Sequence, residues 1–257
     1  MDTVRKPVTL NRKTVRYHML LAAEVRITTR KTLPALQSLL EDPETHEWIV
    51  EVEMSFDAGC LGEYRKKFGV VSHRWLTDHA KGDPRRAPPD PDGVQLAALK
   101  QWLNDNPDIE YVWMDWPCMY QSGKDGEREP TDAERAAFKV MLSEVNMLYI
   151  SCRVLILLDN GYIGRFWANY EGWLSMREPT AEGLTAAPEA TRRYTIMPIL
   201  SANKMFGKAL ETMLGPLTPE DAMEMLKNDD IVVTNQSDKE GQLAKLAKLD
   251  ARVRDVF

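Results

Sequence analysis

The strongest constraint on the fold is an apolar run that leads through a turn into a patterned helix, between residues 153 and 175. Residues 154–158 (VLILL) form an unbroken apolar run. Such a run is too short for a membrane span and is typical of a strand covered on both faces. The Asp159-Asn160-Gly161 sequence that follows predicts a turn. Apolar side chains then recur at helical spacing in residues 163–174. The segment therefore predicts a buried parallel strand that leads directly into a helix.

That helix carries one apolar stripe with a carboxylate at its border. The stripe consists of Ile163, Phe166, Trp167, Tyr170 and Leu174. Glu171 lies one helical turn after Trp167. A carboxylate held against aromatic rings is costly unless it has a function or a partner, so Glu171 is the first candidate for a functional residue. The plainer interpretations are that the aromatic residues belong to the core and that Glu171 pairs with an arginine.

From about residue 68 the chain alternates short apolar runs with helical patterns. The predicted strands are 68–72, 111–114, 154–158 and 194–197, with 231–233 as a candidate fifth. The predicted helices are 93–104, one long helix opened by a capping box at 131–134, 163–174, and two that begin at residues 218 and 237. This alternation predicts an α/β fold with a mostly parallel, flavodoxin-like sheet and helices on both faces.

The first 67 residues follow a different pattern. Residues 48–56 alternate apolar and polar side chains, which suits an antiparallel or edge strand, and residues 31–41 have the pattern of a short helix. We therefore expect residues 1–67 to form an α/β extension or cap on a domain that spans residues 68–257. The first 18 residues are rich in Lys and Arg, and we interpret them as a solvated basic terminus rather than a transit peptide.

Composition and charge exclude several function classes. The formal net charge of −6 argues against binding of a nucleic-acid backbone. The chain contains no apolar run of membrane-spanning length. Its three cysteines, Cys60, Cys118 and Cys152, form no CxxC pair and are typical of reduced thiols, and the histidine spacing predicts no metal site. We therefore expect a cytoplasmic protein with no membrane or nucleic-acid partner.

Polar and aromatic side chains follow the predicted parallel strands where each strand ends. Ligands of open parallel sheets bind beyond these carboxyl ends. The residues found there are Ser72, His73, Arg74 and Trp75 after the first strand, Asp115, Trp116 and Cys118 after the second, and Asp159, Asn160, Trp167 and Glu171 after the third. Rings, a guanidinium and carboxylates in one crevice suit a nucleotide.

Each of these residues also has a plainer interpretation. Asp115 is interpretable as a helix cap, His73 as a structural histidine and Cys118 as a small buried hydrophobe. Two of the connecting loops, 78–93 and 121–130, are long, which is typical of loops that close on a substrate. The chain contains neither GxGxxG nor GxxxxGKS/T, so it supports neither a Rossmann dehydrogenase nor a P-loop enzyme.

Three of these segments resemble motifs of fungal heterokaryon-incompatibility (HET) domains. Residues 111–121 (YVWMDWPCMYQ) resemble the family's W-I/L-D-x-x-C-x-x-Q segment, and residues 165–175 (RFWANYEGWLS) are similar to R-x-W-x-x-x-E-x-x-L-S. Residues 70–75 (VVSHRW) stand where the family has L-S-Y-x-W. HET domains are related to Toll/interleukin-1 receptor (TIR) domains, whose W-C-x-x-E spacing Trp167 and Glu171 match. The resemblance covers roughly residues 68 to 176.

The chain departs from the family at three positions within these motifs. His73 and Arg74 stand where HET domains have a tyrosine and a variable residue, and Tyr170 replaces the usual glutamine. These departures bear on substrate and activity more than on the fold.

The resemblance implies a TIR-like fold and an enzyme that cleaves the nicotinamide–ribose bond of NAD by hydrolysis or cyclisation, in an immune or cell-death response. It makes Glu171 the catalytic residue. The implied NAD-binding residues are Ser72, His73, Arg74, Trp75, Asp115, Trp116 and Trp167. Within this set, Trp75 or Trp116 would stack on a ring and Arg74 would contact the pyrophosphate. NAD or a related nucleotide is the substrate, no further cofactor is implied, and self-association into a homo-oligomer accompanies activation.

Three alternatives stay open at this point. The chain is also compatible with a non-enzymatic signalling module that self-associates through the same fold. Cys118, His73 and Asp115 have the residue types of a thiol hydrolase or transferase. A related α/β site would instead hydrolyse free nucleosides, releasing the base from nucleosides but not from NAD.

Overall fold

The computed structural model describes residues 14–77, 88–121 and 128–257. The strands in these residues are β1 (Thr14–Leu21), β2 (Ile49–Ser55), β3 (Phe68–Ser72), β4 (Tyr111–Trp113), β5 (Arg153–Leu158), β6 (Arg177–Thr180), β7 (Gly183–Ala186) and β8 (Tyr194–Pro198). The α-helices are α1 (Ala22–Ile27), α2 (Leu36–Glu41), α3 (Phe56–Cys60), α4 (Val94–Asp105), α5 (Asp115–Cys118), α6 (Asp132–Ser143), α7 (Val145–Ser151), α8 (Phe166–Ser175), α9 (Lys204–Leu214), α10 (Pro219–Lys227) and α11 (Gln236–Arg254). Most of the two long loops predicted at 78–93 and 121–130, and residues 1–13 of the basic terminus, lie outside the described residues.

Six strands form one sheet in the order β2-β1-β4-β3-β5-β8. Strands β4, β3, β5 and β8 are mutually parallel. In chain order, β3, β4, β5 and β8 are the first to the fourth parallel strand. Across the sheet they therefore stand in the order 2-1-3-4, which is the flavodoxin-like order. The α/β, mostly parallel, flavodoxin-like sheet predicted from the sequence is therefore confirmed.

Helices cover both faces of the parallel strands. Gly69 and Ser72 of β3 point to opposite faces because side chains alternate along a strand. On the face of Gly69 lies α4, since a Cβ on Gly69 would come within 2.9 Å of the Trp102 ring. On the face of Ser72 lies α8, whose Glu171 accepts a hydrogen bond from the Ser72 hydroxyl. No helix among the described residues combines the length with the apolar character that crossing a bilayer requires.

The region before residue 67 extends the same sheet. Strand β1 pairs antiparallel with β2 on one side and with β4 on the other. The antiparallel edge strand predicted at 48–56 is thus found as β2, whereas β1 is an element that the sequence analysis missed. Val15, Tyr17 and His18 of β1 are buried while Thr14 and Arg16 are exposed, so residues 14–18 begin a strand with one buried side and are not part of a solvated terminus. The proposed boundary at residue 67 stays a prediction.

The structure corrects three further local predictions. Residues 231–233 form no strand; Val232 makes only an isolated bridge to Arg165. The long helix predicted from Thr131 keeps its capping box but divides at Glu144 into α6 and α7. Glu144 leaves helical geometry because its carbonyl accepts the Tyr17 hydroxyl and its carboxylate pairs with Arg252. Ile163, predicted on the apolar stripe, lies in a short 3-10 turn before α8 and is 38% exposed.

One buried arginine, Arg193, forms hydrogen bonds with the C-terminal ends of α7 and α8 and with the start of β6. The Arg193 guanidinium donates only to backbone carbonyls, those of Tyr149, Cys152 (2.9 Å), Leu174 (2.9 Å) and Arg177 (3.0 Å). Tyr149 and Cys152 lie at the end of α7, and Leu174 lies in the last turn of α8. Carbonyls at a helix end lack partners within the helix, so Arg193 satisfies groups that would otherwise be buried and unpaired.

We predict that Arg193→Met destabilises the protein by about 3 kcal/mol, because several buried carbonyls lose their donor at once. The matched control is Arg192→Met. Arg192 is exposed and pairs with Glu211 at the surface, where an ion pair contributes about 1 kcal/mol or less. Urea denaturation measures both changes in the free energy of unfolding. Equal losses in the two variants would contradict the role assigned to Arg193.

Candidate active site

The candidate site lies at the carboxyl ends of β3 and β5. These neighbouring strands mark the point where the order of the parallel strands reverses, since β4 lies on the far side of β3. In parallel α/β sheets the segments that leave such a pair of strands diverge, and the crevice between them is where ligands bind. Ser72 ends β3, and Asp159 follows β5.

Glu171 of α8 reaches into this crevice and bonds to the end of β3. The Ser72 hydroxyl donates to Glu171 Oε2 at 2.7 Å. The Ser72 Oγ lies 2.6 Å from the hydroxyl of Tyr162, which belongs to the turn after β5. The Tyr149 hydroxyl donates to the carbonyl of Val71 at 3.2 Å and is also within hydrogen-bonding reach of the Glu171 carboxylate. The hydroxyl groups of Ser72 and Tyr149 thus lie at the carboxyl group, and the Tyr162 hydroxyl lies behind that of Ser72.

The environment of Glu171 favours its protonated form. Burial raises the pKa of Glu171 to about 8, although the hydrogen bond from Ser72 opposes this rise. The negative charge of Asp115 raises the pKa further, and the positive charge of His73 lowers it. Glu171 nevertheless retains partial solvent exposure. A carboxyl group with a raised pKa and partial contact with solvent is typical of a ligand-binding site.

Asp115 is a second carboxylate of the crevice, and it is ionised. Its Oδ2 accepts from Trp75 Nε1 at 2.8 Å, and its Oδ1 accepts from the backbone N–H of Trp116 at 2.6 Å. His73 Nε2 lies 3.2 Å from Oδ1. Burial by itself would raise the pKa of Asp115, but the positive charge of nearby His73 and the two N–H donors together outweigh burial and lower that pKa. The Asp115 side chain is still 36% exposed, so one of its edges faces solvent.

His73 is the cationic partner of Asp115. Its side chain is only 3% exposed. Burial, the largest single influence, would lower the pKa of His73, but the nearby carboxylates Asp115, Glu171 and Asp90 together outweigh it, and the net pKa of His73 is raised. Asp115 and Glu171 both contribute to this increase. The three ionisable groups therefore form one electrostatically coupled cluster.

Arg74 is engaged with a carboxylate and is not free for a phosphate. Its Nε and Nη2 donate to Asp159 Oδ2 at 3.0 and 2.5 Å, and its Nη1 donates to the Trp75 carbonyl. Asp159 is 4% exposed, so the ion pair is largely shielded from solvent. A Cβ at position 161 would lie 2.7 Å from Arg74 Nε, so glycine at this position leaves room for the pair as it stands. The proposed contact of Arg74 with a pyrophosphate therefore requires this ion pair to rearrange.

The three candidate tryptophans differ in their surroundings. Trp75 and Trp116 pack edge to face at 5.4 Å, beside Asp115. Trp116 is buried, whereas Trp75 is partly exposed. Trp167 is partly exposed and lies one helical turn before Glu171, with its ring against Phe166 and Tyr170. Trp75 and Trp167 are therefore the two partly exposed tryptophans of the predicted set.

Cys118 lacks the environment of a nucleophile. The thiol is fully buried and donates to the Val112 carbonyl at 3.7 Å. Burial raises the pKa of Cys118 to about 12, so the thiolate is scarce at neutral pH. Within the described residues, no group of three His, Cys, Asp or Glu side chains is arranged to hold a metal ion.

The sequence analysis missed two hydroxyl groups of the site, those of Tyr149 and Tyr162. Tyr162 had a weak sequence signal, because it directly follows the turn that ends β5. Tyr149 lies in α7, and only the packing of that helix against α8 brings its hydroxyl to Glu171.

We predict that Glu171→Gln stabilises the protein increasingly as the pH rises. The carboxyl group ionises near its ordinary pKa of 4.5 in the unfolded chain and at about 8 in the folded protein. Between these values the folded state retains a proton that the unfolded state has lost, so the wild type loses stability as the pH rises. We expect the free energy of unfolding of the variant to exceed that of the wild type by roughly 2 kcal/mol at pH 9 and by little at pH 5. Denaturant unfolding measures both values.

The control for this experiment is Glu47→Gln, which changes an exposed carboxylate. It should shift stability little at any pH. A gain for Glu171→Gln that does not depend on pH would contradict the assigned protonation of Glu171.

We also predict that the thiols of the native protein resist alkylation. Cys60, Cys118 and Cys152 are all buried, and burial raises the pKa of each to about 12. Iodoacetamide at pH 7.5 should label these residues only after denaturation, as measured by mass spectrometry. Rapid labelling of native Cys118 would revive the thiol-hydrolase alternative.

Comparisons with known proteins identify no relative. No family model matches the chain, and neither a curated protein nor a solved structure is significantly similar to it.

Proposed function

We propose that this protein cleaves the bond between nicotinamide and ribose in NAD or a closely related nucleotide, as a glycohydrolase or cyclase. The observation that carries the proposal is Glu171, a partly exposed carboxyl group at the strand-order reversal of a flavodoxin-like sheet. Its hydrogen bond to Ser72 fixes it at the carboxyl end of β3. The resemblance of residues 68–176 to HET and TIR motifs assigns the catalytic role to this same residue.

The chemistry requires one carboxylate. As the C–N bond breaks, its electron pair moves to the nicotinamide nitrogen, and the ring leaves as a neutral molecule. The ribose carbon is left with oxocarbenium-like positive charge, which ionised Glu171 would stabilise while it accepts hydrogen bonds from ribose hydroxyls. Water, or the adenine ring of the same nucleotide, then forms the new bond to that carbon. In the hydrolytic case the attacking water releases a proton to solvent.

The substrate's own charge would ionise Glu171. In the ligand-free crevice the pKa of Glu171 is about 8, so the group is mostly protonated at neutral pH. The nicotinamide ring of NAD carries a positive charge, and a cation beside a carboxyl group lowers its pKa. Asp115, with its solvent-facing edge, would strengthen the attraction for that ring. Trp75 and Trp167 provide ring surface for stacking.

The raised pKa of Glu171 favours a second candidate function, the hydrolysis of neutral nucleosides. A nucleobase leaves poorly without a proton, and a carboxylic acid that stays protonated at neutral pH is a suitable general acid. The two functions require opposite protonation states of Glu171. The pH dependence of cleavage therefore separates them.

Further proposals follow from the resemblance. Self-association would accompany activation, and the response served would be an immune or cell-death response. A non-enzymatic signalling module would assemble in the same way but would not consume NAD. We propose a cytoplasmic location, which the three free, buried cysteines support.

We predict that the purified protein releases nicotinamide from NAD and that Glu171→Gln lowers the rate at least ~1,000-fold, since the developing charge loses its stabilising anion. Chromatographic quantification of nicotinamide, with and without a crowding agent to promote assembly, measures the rate. Glu182→Gln, which changes an exposed carboxylate, is the matched control and should retain full activity. No turnover at high protein concentration would count against the enzymatic proposal and favour the signalling module.

We predict that kcat/KM for NAD rises with pH and levels off above about 8, because the free protein must lose the Glu171 proton. The midpoint for kcat should lie at lower pH, since bound substrate favours the carboxylate. Cleavage of nucleosides that instead falls as the pH passes 8, together with inert NAD, would identify the second candidate function.

A further inference from the structure

We propose that Tyr162 is a positioning residue for Glu171 and acts on it through the hydroxyl of Ser72. The inference rests on the proposed function only in taking Glu171 as the catalytic group. The contact itself is a chain of two short hydrogen bonds. The Tyr162 hydroxyl lies 2.6 Å from Ser72 Oγ, and Ser72 Oγ lies 2.7 Å from Glu171 Oε2.

The direction of the hydrogen bonds follows from proton counting. Ionised Glu171 can only accept hydrogen bonds, so in that state the single hydroxyl proton of Ser72 is donated to it. The bond between Tyr162 and Ser72 must then use the proton of Tyr162. A serine that receives a hydrogen bond becomes a better donor, so Tyr162 strengthens the bond that holds the Glu171 carboxylate. Burial raises the pKa of Tyr162 far above its usual value, so Tyr162 keeps the proton that it donates.

The Tyr162 side chain is enclosed by protein. Its side chain is fully buried, and its backbone N–H donates to the carbonyl of Asp159 at 3.2 Å. The ring packs against Gly172, where a Cβ would approach the Tyr162 hydroxyl to 3.2 Å. A side chain buried to this extent does not touch a substrate in the crevice. Its influence on the reaction must pass through Ser72.

Other groups also act on Glu171. These are Ser72 and His73 from the end of β3, Asp115 after β4, and Tyr149 from α7. Because the charges of His73 and Asp115 stay in place when a hydroxyl is removed, Tyr→Phe substitutions isolate the hydrogen-bond contribution.

The test compares Tyr162→Phe with Tyr170→Phe in the full chain. Tyr170 is a matched control, because it is also fully buried, and its hydroxyl bonds to Gln242 and not to the site. Nuclear magnetic resonance of carboxyl-labelled glutamate follows the titration of Glu171, and Glu171→Gln identifies its signal. We expect Tyr162→Phe to raise the midpoint by about 0.5 pH unit, Ser72→Ala to raise it by about one unit, and Tyr170→Phe to leave it unchanged.

The decisive variant combines Tyr162→Phe with Ser72→Ala. If Tyr162 acts through Ser72, the double variant should titrate like Ser72→Ala alone. A further shift in the double variant would overturn the proposal, and so would equal midpoints for Tyr162→Phe and wild type. Thermal unfolding of both Tyr→Phe variants verifies that each remains folded.

Activity provides a second measurement. With NAD as substrate, Tyr162→Phe should lower kcat/KM about threefold at pH 7 and should match wild type above pH 9, where Glu171 is ionised in both. A loss of equal size at every pH would indicate a merely structural role and would overturn the proposal. If no NAD is cleaved by any variant, the proposed function fails, but the titration still decides the role of Tyr162.

Discussion

The carboxyl group of Glu171 lies where α8 packs against the end of β3, and water hydrates it only in part. The hydrogen bond from Ser72 compensates for some of the lost hydration, and it joins the helix to the sheet. Around this bond the remaining polar groups are arranged in two ion pairs, His73 with Asp115 and Arg74 with Asp159. Each pair neutralises its own charge and leaves Glu171 as the group without a dedicated cation. That arrangement makes this carboxyl group responsive to the charge of a ligand.

The elements best predicted from the sequence are those with strong local signals. Strand β3 has the predicted bounds, and the capping boxes at Thr131 and Thr218 begin helices α6 and α10 as expected. Strand β1 was missed because Arg16 and His18 interrupt its apolar residues, and the basic sequence before it suggested a terminus. Its burial depends on pairing with β2 and β4, which local sequence does not encode.

The sequence could predict which residues lie near the candidate site, but not which hydrogen bonds and ion pairs they form. Strand order alone brings Ser72, His73, Asp115 and Glu171 to one edge of the sheet, and the structure has them there; their roles stay predictions. The bonds depend on side-chain rotamers and on distant partners. The sequence could not indicate that Arg74 forms an ion pair with Asp159. Nor could it indicate that the Tyr162 hydroxyl forms a hydrogen bond with Ser72.

The sheet has two outer strands, and both are poor templates for another strand. Strand β8 is short and ends at Pro198, which has no backbone N–H to donate. Strand β2 carries the exposed acids Glu51 and Glu53 along its length. A second copy of the chain would gain little by docking edge to edge on either side. Among the described residues, the surfaces of helices and loops are therefore better suited than the sheet edges to contact another chain.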